Sequence, residues 1–171
     1  EWGLMFNIKA GSPLHGLRPS MHECLKTRRK TMIDRKLLIE KAFEAQKFCY
    51  TPYSNFNVGA ALLTSDGTIY QGCNIENAAY TPTNCAERTA VFKAVSEGER
   101  EFRAIAVCGD AEEYLAPCGV CRQVLLEFTE PEKFVVLMAA KSGEYRKMTL
   151  AELLPASFSK SDLSAASDGK N

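Results

Sequence analysis

Cys85-Ala86-Glu87-Arg88 and Pro117-Cys118-Gly119-Val120-Cys121 are the two stretches on which the reading of this chain turns. One cysteine followed further along by Cys-x-x-Cys supplies three thiolates, a set that suits tetrahedral Zn²⁺ with its fourth position open. The only histidines, His15 and His22, stand in the N-terminal segment, so no histidine near either motif completes the set. Zinc with three protein ligands normally carries a water and lowers its pKa towards about 7. Glu87, two residues after a ligand, is placed to shuttle protons to and from that water. The combination points to hydrolysis.

Both motifs read as helix starts. Thr83-Asn84 offers a cap, and Ala90, Val91, Ala94 and Val95 follow at helical spacing before Gly98. Pro117 opens a second helix through Val124, Leu125 and Phe128. This predicts Cys85 and Glu87 in one first turn, and Cys118 and Cys121 in another. Helix N-termini favour thiolate over thiol. Three thiolates leave the zinc site net negative, which opposes deprotonation of a bound water. Arg88 and Arg122 are the candidate cations, and Arg88, directly after the glutamate, is preferred. The bland alternative for the cysteines is a structural site closed by Cys73 or Cys108, but both sit in apolar, strand-like surroundings where free cysteines are commonly buried. For Glu87 it is a first-turn carboxylate that only complements the helix dipole.

Working outward, Leu37, Leu38, Ala42, Phe43 and Ala45 mark an amphipathic helix within Ile33–Phe48. Val58–Leu63, a turn at Ser65-Asp66-Gly67 and Thr68–Cys73 read as a β-hairpin. Strands follow at Ala104–Cys108, Phe134–Ala139 and Tyr145–Met148, and Thr149-Leu150-Ala151-Glu152 has capping-box spacing. The order α-β-β-α-β-α-β-β-α predicts an α/β fold, a mixed five-stranded sheet with helices on both faces. Residues 1–31, with scattered breakers and the basic run Lys26-Thr27-Arg28-Arg29-Lys30, read as a poorly ordered N-terminal extension. Met21 and Met32 stand there as candidate starts of a shorter product. Residues 32–158 read as the single domain, and 159–171, rich in Ser, Asp and Gly, as a mobile tail.

The 171 residues balance 21 basic against 21 acidic side chains, which argues against electrostatically driven nucleic-acid binding. No apolar run approaches the ~20 residues that span a bilayer. Seven cysteines, three of them committed to metal, suit a reducing compartment, and a cytoplasmic location is expected.

The two motifs, with Tyr53-Ser54-Asn55-Phe56, Val58-Gly59-Ala60-Ala61, Gly72-Cys73-Asn74-Ile75-Glu76-Asn77-Ala78 and Arg122-Gln123, resemble the zinc-dependent cytidine deaminases, specifically the small homotetrameric type with three cysteine ligands. The similarity covers about Leu37 to Phe158. It implies a three-layer α/β/α fold and one Zn²⁺ per chain held by Cys85, Cys118 and Cys121. It also implies deamination of cytidine and 2′-deoxycytidine in pyrimidine salvage, with Glu87 as the proton shuttle. Asn74 and Glu76 are implied to bind ribose, Phe56 to face the pyrimidine, and the Ala86 backbone to help read the base edge. Ala78, Tyr80 and Phe158 are implied to complete a neighbouring subunit's pocket in a homotetramer. No nucleic-acid or membrane partner is implied. Taken alone, Asn74 and Glu76 read equally as turn-forming residues at a strand end. The rivals are a nucleoside-antibiotic deaminase, expected to differ at Asn-x-Glu, and a catalytically silent zinc module. Deoxycytidylate deaminases and polynucleotide editors typically present His-x-Glu where this chain has Cys85. The loop Asp110–Ala116, just before the second motif, reads as a determinant of access.

Overall fold

Three apolar runs, Val58–Thr64 (β1), Phe102–Gly109 (β3) and Val135–Ala139 (β4), alternate between two cores rather than between core and water. In the computed structural model, which describes residues 32–168, Leu62, Ile105 and Val136 face one cluster while Ala61, Ala106 and Leu137 face the other. Successive side chains leave a strand on opposite faces, so a strand covered on both sides reads as unbroken apolar sequence. The sheet runs β2 (Ile69–Cys73), β1, β3, β4, β5 (Tyr145–Thr149). The β3–β4 pair is parallel and the other three pairs are antiparallel.

Helix α1 (Arg35–Gln46) covers one face through Leu38, Ile39 and Ala42. Helices α2 (Ala86–Ser96) and α3 (Gly119–Glu127) cover the other through Ala90, Val91, Ala94 and Leu125. The result is the expected three-layer α/β/α architecture around a mixed five-stranded sheet. Helix α4 (Leu150–Leu153) opens with the capping box read from sequence: Thr149 N donates to Glu152 Oε2 at 2.6 Å, and Glu152 N to Thr149 Oγ1 at 3.3 Å. Within the stretch read as a mobile tail, Lys160–Asp168 forms a further helix, α5. The extension read for residues 1–31 lies outside the described residues.

Gly72 seats α2 on the sheet. A Cβ at this position would come within 2.3 Å of Ala86 O and 2.4 Å of Ala90 N. Both are helix backbone atoms and cannot rotate away. Gly72→Ala is expected to destabilise the fold by roughly 2–3 kcal/mol, the upper range for an overpacked core. The denaturant midpoint checks it, and an unchanged midpoint would show that α2 does not rely on this contact.

Candidate active site

Cys85 and Cys118 occupy the N-caps of α2 and α3, where the spacing predicts them inside the first turns. Both have extended backbone (φ −73°, ψ 156° and φ −66°, ψ 164°), and neither side chain caps its own helix. Pro117 therefore precedes the cap instead of opening the helix. The cap conformation still joins each cysteine to its helix, because Cys85 O accepts from Thr89 N and Cys118 O from Arg122 N, both at 3.0 Å. The sulfurs are left free to converge. Cys121, three residues on, and Glu87, two residues after Cys85, lie in the first turns.

The three Sγ atoms lie within 4.8 Å of one another, with Cys85–Cys118 at 4.0 Å and Cys118–Cys121 at 3.4 Å. Tetrahedral zinc with Zn–S bonds of about 2.3 Å holds its sulfurs roughly 3.8 Å apart. The separations of 3.4 and 4.0 Å bracket that value, so the set suits one zinc. Cys121 is buried, Cys85 half-buried and Cys118 exposed, so the triad opens on one side.

A hydrogen bond from the Cys121 thiol, aided by Arg88, lowers the Cys85 pKa to about 5. Cys121, as the partner that keeps its proton, is pushed up. Arg88 Nη2 lies 3.6 Å from Cys85 Sγ and donates to Thr83 O at 3.0 Å, while its buried Nε has no acceptor. Arg122 instead donates to the Pro117 and Leu153 carbonyls, each at 2.7 Å. Arg88 is thus the cation at the sulfurs. Arg88→Gln is expected to move the acid limb of the pH–activity profile up by about one unit, because loss of a cation favours the protonated form of the centre. An unmoved limb would remove Arg88 from the electrostatics of the site.

Glu87 is only 4% exposed, and burial raises its pKa to about 7, with the negative Cys85 adding to the effect. A carboxyl poised near neutrality both accepts and returns protons efficiently. Ala86, between ligand and carboxyl, is fully buried.

Asn74, Glu76 and Phe56 come together around residues 53–58. Asn74 Oδ1 accepts from Val58 N at 2.9 Å and its Nδ2 donates to Phe56 O at 2.8 Å. Glu76 accepts from Tyr53 N at 2.9 Å, Ser54 N at 3.2 Å and the Ser54 hydroxyl. The last three bonds hold its carboxyl below the usual range. Both polar residues therefore shape this loop. Sequence reasoning did not single out Tyr53 and Ser54 in this role, nor Thr83. With Glu76, Asn77 and Tyr80 they line an open cavity of about 340 Å³. Thr83 links that cavity to Arg88 and so to Cys85. Tyr80 and Phe158 are 77% and 61% exposed, and Ala78 is exposed. None of these three belongs to the sulfur cluster, and Phe158 O accepts from Gln123 Nε2 at 2.9 Å, two residues beyond Cys121. A larger groove of about 1370 Å³, running past Arg100, Phe128 and Lys160, includes neither a metal-site cysteine nor Glu87.

Three clustered cysteine sulfurs and a buried carboxyl at two helix N-termini on an α/β/α sheet define a zinc-dependent hydrolytic enzyme. Residues 32–138 match the family described as cytidine and deoxycytidylate deaminase zinc-binding region, and the chain belongs to that family. It is 54% identical over 136 residues to a cytidine deaminase of Sporosarcina psychrophila, covering 80% of this chain and 99% of the relative. A cytidine deaminase of Halalkalibacterium halodurans is 49% identical over 131 residues, 77% of this chain and 98% of that one. The crystal structure of cytidine deaminase from Burkholderia pseudomallei superposes with a TM-score of 0.71 at 48% identity, covering 74% of this chain and all of that one.

Proposed function

We propose that this chain hydrolyses cytidine and 2′-deoxycytidine to uridine and 2′-deoxyuridine with release of ammonia. The observation that carries the reading is Glu87, buried beside the three-sulfur cluster with a proton affinity near neutrality. Cys85, Cys118 and Cys121 would hold one zinc, which when bound supplies a water of lowered pKa as nucleophile. Glu87 takes a proton from the attacking water and delivers it to N3 of the pyrimidine; it then takes the proton of the new C4 hydroxyl, which becomes the product carbonyl, and delivers it to the departing amine. Each transfer resets the carboxyl for the next. Asn74 and Glu76 present an amide and a carboxylate to the ribose hydroxyls, Phe56 faces the base, and the Ala86 backbone meets the base edge. A 5′-phosphate is disfavoured, since Glu76 would repel it. Residues 32–158 form the catalytic domain, acting in pyrimidine salvage in the cytoplasm. Among the described residues no helix is long and apolar enough to cross a membrane.

The working unit is a homotetramer whose pockets are shared. Tyr80 supports this, because its backbone has φ 58°, unusual for a bulky residue, and its ring is thrown outward. Phe48, Tyr50, Tyr53 and Ile75 are exposed in the same stretches of chain. Ala78, Tyr80 and Phe158 of each subunit complete a neighbour's pocket. A monomeric preparation with full turnover would end that part of the proposal. The test of the activity itself is loss of ultraviolet absorbance when zinc-loaded protein meets cytidine, with ammonia assayed in parallel. No absorbance change from protein that retains its zinc would overturn the reading.

A further inference from the structure

We infer that Asp110 is a positioning residue for the base: it clamps the backbone beside Phe56 and so fixes the aromatic wall of the pyrimidine slot. The inference rests on the proposed activity and on Phe56 facing the base. Asp110 immediately follows β3, at the start of the loop that leads to Cys118. Its Oδ2 accepts from Asn57 N at 2.7 Å and its Oδ1 from Gln46 Nε2 at 2.8 Å. The same Gln46 nitrogen donates to Asn57 O at 3.0 Å, and Asp110 N donates to that carbonyl at 3.1 Å. Both backbone groups of Asn57 are thus held by one carboxylate, its own amide and the glutamine that the carboxylate orients. The bonds to the carboxylate are charge-assisted, which makes them shorter and stronger than neutral ones.

The neighbouring residue makes the ring's place as well. A Cβ on Gly109 would meet Leu115 Cδ2 at 2.6 Å and Phe56 Cε1 at 3.3 Å. The Phe56 ring therefore rests against the bare end of β3, while Asp110 fastens the next residue of its chain. Asn74 holds the opposite side through Phe56 O and Val58 N. Asp110 is itself exposed, so packing does not account for an aspartate here. Its geometry does.

The experiment measures kcat and KM for cytidine on zinc-loaded Asp110→Ala, Asp110→Asn, Phe56→Ala and the Asp110→Ala/Phe56→Ala double variant. Asp110→Ala is expected to raise KM about tenfold with kcat within about threefold, as loss of a charge-assisted hydrogen bond on a binding wall would. Asp110→Asn, which keeps the shape and one acceptor, falls between Asp110→Ala and the parent. In the Phe56→Ala background the Asp110 change adds less than about twofold, because the two residues act as one unit. Fully multiplicative effects, or a KM unchanged in Asp110→Ala, would overturn the inference. Exchange of the Asn57 amide proton, expected to be faster in Asp110→Ala, reads the clamp without turnover. If the parent does not deaminate cytidine, the functional reading has failed. Unchanged Asn57 exchange would show that the clamp has failed.

Discussion

Glu87→Gln keeps its zinc and loses cytidine deamination by at least about a thousandfold, since one positioned acid–base group contributes about 10²–10⁴ and this one serves both proton deliveries of the reaction. Glutamine retains the shape of the side chain and its place in the first turn of α2, but it cannot take up and release a proton at neutral pH. The fall is expected in kcat, with KM little changed, because the proton is needed only as bonds to C4 form and break. A variant with a tenth of the parent's turnover would show that the proton travels elsewhere. The same substitution has a signature without substrate. In the metal-free chain burial raises the Glu87 pKa from 4.5 to about 7. Between those values the folded chain binds more protons than the unfolded chain, so stability falls as pH rises through this window and stays lowered above it. Glu87→Gln abolishes that loss. The metal-free variant should gain roughly 3 kcal/mol over the metal-free parent at pH 8 and nothing at pH 4. Denaturant midpoints at the two pH values measure it.

Much of this was legible because the local signals are strong. The apolar runs that became β1, β3 and β4 could be placed, but the order of strands in the sheet could not, since it depends on pairing across the whole chain. The Thr149-x-x-Glu152 box was read and is formed. The tail held a related signal: Ser159 N donates to Asp162 Oδ2 at 2.7 Å at the start of α5. There the Ser, Asp and Gly content outweighed the spacing, and composition cannot tell a capped helix from a mobile tail. Proline misled in a smaller way. Pro117 is as compatible with the residue before a cap as with the first helical position, and only the extended backbone of Cys118 separates the two. At the site, the sulfurs and Glu87 announced themselves by spacing. Asn74 did not reveal that both ends of its amide already hold the Phe56 loop. Asp110 and Gln46, 64 positions apart, carried no local mark of their partnership.

Cys121→Ala is the second large effect, and it bears on whether the site is an open catalytic centre or a closed structural one. Cys121 is the buried member of the triad, with its sulfur 3.4 Å from that of Cys118 and within 4.8 Å of that of Cys85. Its loss leaves two sulfurs on separate helix caps, too few to hold zinc against water. Metal content is expected to fall from one ion per chain to about a tenth or less, and turnover with it, because ligand and folding energies are coupled at such sites. The chain should nevertheless remain folded, unlike a zinc finger, since its two apolar clusters on either side of the sheet do not include the metal. Circular dichroism beside metal analysis separates the two effects. A closed four-thiol site makes the opposite demand, that a further cysteine matter equally. Cys108 belongs to the cluster under α1, on the face of the sheet away from α2 and α3, and burial raises its pKa to about 12. Cys73 donates to Phe48 O at 3.2 Å and is likewise pushed up by burial. Both are neutral thiols engaged elsewhere. Cys108→Ala and Cys73→Ala should therefore retain one zinc per chain, and loss of metal from either would mean that the fourth position is not open to water.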